Sequence, residues 1–185
     1  MINKAKKDLS SNKSILIFDI EAYEHAQHKI TEIGLLTVKS GVMSDVQHFI
    51  VEENIDLLNG KFVEDNKHNF DFGESKILSQ KESFSLLIKK IQESDILMGQ
   101  NISSDLSYLK KYIKRNNKNS KELDEEIKLI VEKDRIDTAS MTFFMSEDGN
   151  TMSIKRALNK LNVENKNLHN AGNDAYYTYQ LSKAI

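Results

Sequence analysis

The chain has 185 residues, 39% of them hydrophobic, with 26 basic against 28 acidic side chains, a net charge of -2 and no cysteine. That length suits one domain with a sizeable core and is too short for two ordinary ones; the charge balance excludes a global positive field for nucleic acid, and the missing thiols exclude disulfides, thiolate metal sites and thiol nucleophiles. The polar opening "MINKAKKDLSSNK" lacks the apolar core of a secretory signal and no run approaches the ~18 apolar residues of a membrane span, so a soluble intracellular protein, cytoplasmic or nuclear, with no membrane partner is expected.

Residues 1–13 read as a flexible N-terminal segment and 14–185 as one domain. The run "SILIFDI" (14–20) is continuously apolar and rich in β-branched residues, which suits a strand buried on both faces and central in its sheet. "KITEIGLLTV" (29–38) and "GVMSDVQHFIV" (41–51) follow, and "KSG" between them reads as a tight turn joining antiparallel strands. After a polar connection, Ser75 reads as the N-cap of a helix over 76–94, with Phe84, Leu87, Ile88 and Ile91 at helical spacing. "DILMGQ" (95–100) is a short strand. The helix that begins at Asn101 places Leu106, Leu109 and Ile113 on one side. Residues 116–121 have loop chemistry; the charged helix 122–133 leads to a strand running into a helix over 135–145; "EDGN" (147–150) is a turn; helices over 151–163 and 171–184 finish the chain. The order predicts an α/β domain with a central mixed five-stranded sheet and helices on both faces.

Three places carry chemistry. Asp19 and Glu21, two residues apart at the end of the first strand, share one face and can point at one spot. Two anions beside an apolar strand are costly unless a cation neutralises them, and hard Mg²⁺ or Mn²⁺ ions suit oxygen ligands. Taken alone, "DIE" is a weak signal and reads first as a solvated pair at a strand end. Asp105 lies in the first turn of the helix after "MGQN", where an acid also serves the helix dipole. His169 precedes Asp174 by five residues in "LHNAGNDAYY". Gly172 and Asn173 between them permit a turn or tight helix start that sets imidazole and carboxylate toward one cavity.

Together and in this order, Asp19 and Glu21 in "FDIEAYE", Asp105 in "GQNISSDLSYL", and His169 with Asp174 in "HNAGNDA" resemble the DEDDh group of 3′–5′ exonucleases of the ribonuclease H-like superfamily. The resemblance runs from about Ile15 to Ile185, and "DIEAYE", "FDFGES" and "LHNAGNDAYYT" look closest to fungal exonuclease-like domains similar to the yeast factor that promotes DEAD-box protein activity. It implies a ribonuclease H-like fold over 14–185 and two-metal hydrolysis of RNA or DNA at a single-stranded 3′ end, releasing nucleoside 5′-monophosphates. In that pattern Asp19 bridges both ions, Glu21 and Asp174 complete one, Asp105 supports the other partly through water, and His169 deprotonates the nucleophilic water. Metals would bring the positive charge that the chain lacks. A related group uses tyrosine four residues before the last aspartate, where this chain has Asn170. The sequence also reads Gly99-Gln100-Asn101 where many relatives have Gly-His-Asn, and Ala22 where they have Thr, which removes a hydroxyl from the terminal nucleotide's reach.

For the substrate strand the candidates are Ala22, Tyr23, Asn101 and Tyr108, with Lys110, Lys111 and Lys114 from a stretch that also holds Arg115, Lys118 and Lys121 and no acid. The same charges would serve an ordinary solvated helix face balanced by "ELDEE". Phe18 is expected in the core, His25 and His28 in a surface loop, and Asp137 in the scaffold. The competing reading is a catalytically inactive ribonuclease H-like module that binds nucleic acid or protein; loss of one of the five site residues would have favoured it, and none is lost.

Overall fold

The computed structural model describes the backbone of residues 2–116, 120–146 and 149–185, and the side chains of these except at 120–124 and 126. Its strands are β1 (Ser14–Ala22), β2 (Ile30–Lys39), β3 (Val42–Met43), β4 (Gln47–Val51), β5 (Lys76–Leu78), β6 (Ile96–Gly99) and β7 (Asp134–Asp137). Its helices are α1 (Ile2–Leu9), α2 (Gln80–Glu93), α3 (Ile102–Asn116), α4 (Ser120–Glu132), α5 (Thr138–Thr142), α6 (Ile154–Lys160) and α7 (Ala171–Ala184).

The alternation of β1 builds two cores, one on each face of the sheet. Leu16, Phe18 and Ile20 join Ile33 and Leu35 of β2 against Phe84, Leu87 and Ile91 of α2 and Leu106, Leu109 and Ile113 of α3. Ile15 and Ile17 turn the other way, joining Leu36, Val38 and Met98 against Tyr179 of α7 and Ala5 of α1. Each such buried side chain contributes about 1.5–3 kcal/mol, so β1, covered on both faces, anchors the sheet. A third cluster packs Ala157 and Leu158 of α6 on Tyr177 and Leu181 of α7.

The sheet is mixed: β1 pairs antiparallel with β2 and parallel with β6, giving the order β5-β4-β2-β1-β6-β7, with β3 paired to β2. Among the described residues it has seven strands where five are expected. One addition is a split: after the turn at Ser40 and Gly41, both at positive φ, the chain pairs only over β3 and leaves the ladder before β4. The other is β5, which lies where the sequence predicts the start of a helix. That helix begins later because Ser79 and Glu82 form a reciprocal capping box, while the Ser75 hydroxyl is engaged 2.8 Å from His48 Nδ1.

The segment 1–13, expected to be flexible, instead contains α1, whose Ala5 is buried in the second core. Residues 117–119 of the expected loop and 147–148 of the expected turn lie outside the described residues. No helix among the described residues is long and apolar enough to cross a membrane.

Candidate active site

Asp19 and Glu21 continue the alternation of Ile15 and Ile17, so their carboxylates leave β1 on the face covered by α7. The register shifts between Glu21 and Ala22, a bulge after which Ala22 still pairs with Ile30. From the other core, α3 brings buried Asp105 to the same strand end, where its Oδ1 accepts the Ile20 N–H at 3.1 Å.

The first turn of α7 supplies the rest. Asp174 Oδ2 accepts the His169 N–H at 3.1 Å. His169 itself has φ of 64°, in the left-handed region, and this kink carries Nδ1 to 4.0 Å from Glu21 Oε1. Ligand atoms of Glu21, His169 and Asp174 all lie within 4.8 Å of one another.

Close approach of helix to sheet requires two glycines. Gly34, opposite Asp19 in the register, would place a Cβ 2.0 Å from the Ala171 carbonyl oxygen. A Cβ at Gly172 would meet the Phe70 ring at 2.6 Å and His48 Cβ at 2.9 Å. The sequence gives Gly172 to the turn; its φ is not positive, His169 makes the turn, and Gly172 makes room. Asparagines then lace the helix start to the loop after β4. Asn66 Nδ2 donates to the Leu168 carbonyl at 2.7 Å, and Asn170 Nδ2 to those of Asn66 and Lys67 at 3.0 and 3.1 Å. Asn173 Nδ2 donates to the Asn69 and Asn167 carbonyls, both at 2.9 Å.

A fifth acid, which sequence reasoning missed, faces this site. Glu32 of β2 stands opposite Glu21, is 2% exposed, accepts the Ala171 N–H at 3.2 Å, and lies 2.9 Å from His48 Nε2. With Nε2 donating to the carboxylate, Nδ1 accepts from the Ser75 hydroxyl, so the Ser75–His48–Glu32 chain ends on the first residue of α7. The available signal was a lone acid inside the apolar run "ITEIGLL", where a strand buried on both faces admits a carboxylate only with partners.

Burial and mutual repulsion set the electrostatics. Burial, then the Glu32 charge, pushes Asp19 up to about 7. Glu21 is raised well above the usual carboxylate range by burial and then by Asp19 and Asp174; Asp105 and Asp174 are raised by burial and then by Asp19. Burial, with Lys155 nearby, lowers His169, which favours neutral imidazole near pH 7. Among the described residues, none of Asp19, Glu21, Asp105 and Asp174 forms an ion pair with a lysine or arginine. Asp174 Oδ1 is buried and has no hydrogen-bond partner among the described residues. A set of crowded oxygen donors with one orphaned atom fits a hard divalent cation.

The other expected residues divide. Ala22 and Tyr23 follow Glu21 at the strand exit, half-buried. Asn101 is exposed at φ 59°, with its N–H bonded to Asp137 Oδ1 at 2.9 Å, so Asp137 belongs to the scaffold as expected. Tyr108 faces the acids, and burial followed by the charges of Asp105, Glu21 and Asp19 raises its phenol. Lys111 Nζ lies 5.7 Å from the Tyr108 ring centroid. At 100° per residue Lys110 and Lys114 fall on the flank of α3 away from Tyr108, while Lys118 and the Lys121 side chain lie outside the described residues. Phe18 is in the core, and His25 and His28 are exposed in the turn after β1, as expected.

A central strand ending in paired acids, a third acid on the crossing helix and a histidine–aspartate pair at the last helix define a ribonuclease H-like, exonuclease-type domain. Residues 14–185 match the family described as DNA polymerase III subunit epsilon-like, C-terminal domain, and the chain belongs to that DEDDh family. It is 30% identical over 168 residues to an uncharacterized nucleolar protein of Schizosaccharomyces pombe, covering 89% of this chain and 65% of that protein. It is also 30% identical over 209 residues to the Saccharomyces cerevisiae protein named good for full DBP5 activity protein 2, covering 97% of this chain and 37% of that one. The chain thus spans less than two thirds of either relative. Among solved structures, S. pombe Pop2p in a Mg²⁺- and Mn²⁺-bound form shares the fold with TM-score 0.60 at 16% identity, covering 97% of this chain and 85% of that chain. A product-bound exonuclease I gives TM-score 0.62 at 11% identity, covering 95% and 43%. The resemblance to DEDDh exonucleases and to the fungal domains, drawn from the sequence, agrees with both comparisons.

Proposed function

We propose that this domain is a metal-dependent 3′–5′ exonuclease that hydrolyses the terminal phosphodiester bond of single-stranded RNA or DNA and releases nucleoside 5′-monophosphates. The observation that carries the reading is the partnerless Asp174 Oδ1, buried among carboxylates that no lysine or arginine of the described residues neutralises. Asp19, Glu21, Asp105 and Asp174 would hold two Mg²⁺ or Mn²⁺ ions. When bound, such ions supply Lewis-acid stabilisation of the phosphate and a lowered pKa for water.

The chain's own residues do the remainder. His169, with a side chain 41% exposed, is reachable by solvent and takes the proton of the attacking water as the P–O3′ bond breaks. Glu32 and the asparagine lacing hold the α7 start against β1, so that imidazole and carboxylates keep their spacing without reorganisation. The metal-bound Pop2p and product-bound exonuclease I structures support the reading by shared fold. The nucleolar description of the S. pombe relative supports action in the nucleus.

The test incubates end-labelled single-stranded RNA, single-stranded DNA and duplex with Mg²⁺ or Mn²⁺. Release of mononucleotides from the 3′ end by wild type and its loss in Asp19→Ala is the expected result. A protein that binds metal and strand without cleaving either is instead a binding module.

A further inference from the structure

Beside the acids, a groove of about 320 Å³ runs between the turn after β1 and one flank of α3, lined by His28, Lys29, Tyr108, Lys111 and Arg115, with Glu53 as its acid. Asp105, Tyr108, Lys111 and Arg115 follow one another on successive turns of α3 over about 15 Å of helix; Tyr108, Lys111 and Arg115 line the groove, and buried Asp105 lies one turn before Tyr108 without lining it. Tyr108 is the shared wall, since it lines the groove and feels the charges of Asp105, Glu21 and Asp19. Lys29, Lys111 and Arg115 are exposed, and among the described residues none of the three pairs with a carboxylate. Glu53 is already engaged, its Oε2 accepting the Gln80 N–H at 2.7 Å at the start of α2. In a chain of net charge -2, this strip is a local concentration of cations drawn from two separate segments.

We infer that the groove holds the phosphates of the strand 5′ to the scissile bond, so that the substrate is an oligonucleotide several units long and not a dinucleotide. The inference rests on the exonuclease reading for the scissile bond, while the groove itself is testable by binding alone. Phosphates repeat every ~3.4 Å along a stacked strand, so the groove spans a few nucleotides beyond the terminal one. Tyr108 at its head offers a ring for a base, with Lys111 beside it.

The experiment compares wild type, Lys111→Ala/Arg115→Ala, and a control, Lys7→Ala/Lys89→Ala, that removes the same charge from exposed positions elsewhere. Binding of a labelled twelve-nucleotide single strand to metal-free protein is read by fluorescence anisotropy across a salt series. The groove variant is expected to bind about tenfold more weakly, with a salt slope shallower by about 1.4 for two lost phosphate contacts, and the control to stay within twofold of wild type. In kinetics, the KM ratio of twelve-nucleotide strand to dinucleotide shifts about tenfold against the long strand. Equal weakening in both variants, or an unchanged groove variant, overturns the inference. Wild type that binds the strand as described and cleaves nothing overturns the exonuclease reading and leaves the groove standing.

Discussion

The two helices that frame the site are built in opposite ways. The start of α7 is buried, with Asn170 and Asn173 inaccessible to solvent and hydrogen-bonded to the loop after β4, and with Ala171 held by Glu32. The flank of α3 is exposed, and Lys111 and Arg115 reach into solvent from a helix whose other side makes the core. Reactive groups need fixed spacing, which a buried polar network provides because each broken hydrogen bond there leaves an unsatisfied group worth about 1–3 kcal/mol. Phosphate contacts need charge more than position, and exposed cations provide that with little constraint. Changes near α7 should therefore alter folding or turnover steeply, while changes on α3 should alter affinity in small steps.

The sharpest way to break the contrast is Asp19→Ala, expected to lower kcat about 10³-fold with Mg²⁺ because a metal ligand is worth several kcal/mol in the transition state; a loss no larger than that of Lys111→Ala would erase the distinction. His169→Ala should keep metal binding, measured by calorimetry, and lose about 10²-fold or more in kcat. Gly34→Ala forces a methyl into the Ala171 carbonyl, and should destabilise by about 3 kcal/mol or more, read as ~6–12 °C in Tm. An unchanged Tm would show that α7 can move away from β2 freely.

A smaller effect concerns pH. Asp19 has a folded pKa of about 7 against 3.8 for the free side chain, so between these values the folded state binds the extra proton. Its contribution to stability is therefore largest below the unfolded value and is lost as pH rises toward 7. Without metal, Asp19→Asn should melt above wild type near pH 8, the gap closing toward pH 4. Mg²⁺ should close it at pH 8 by stabilising wild type alone. A gap independent of pH would show that burial of Asp19 is not felt as charge. Smallest of all, Lys111→Ala alone should weaken strand binding only a few-fold at low salt and less as salt rises.

Glu32 and Glu24 illustrate what was and was not legible in the chain. Local rules read β1, the tight turn, the apolar faces of α2 and α3, and the five residues whose order suggested the chemistry, since alternation and helical spacing are visible over a few residues. Competition between neighbours was not visible: Ser75 and Ser79 are both sound caps, and only the position of His48 removes one of them. The turn carrying Glu24 gives no hint that both its carboxylate oxygens hold the Lys61 and Phe62 N–H groups of a distant loop.

By itself the sequence determined which candidate groups this protein offers for chemistry and on which elements they ride, because residue type and periodicity are properties of the chain. The tertiary structure alone decided that Glu32 faces Glu21, that Gly34 lets α7 touch the sheet, and that Lys29 joins Lys111 and Arg115 in one groove and not Lys110 or Lys114. Those outcomes depend on strand register and helix rotation, which are fixed by packing across the two cores and not by any local stretch of residues.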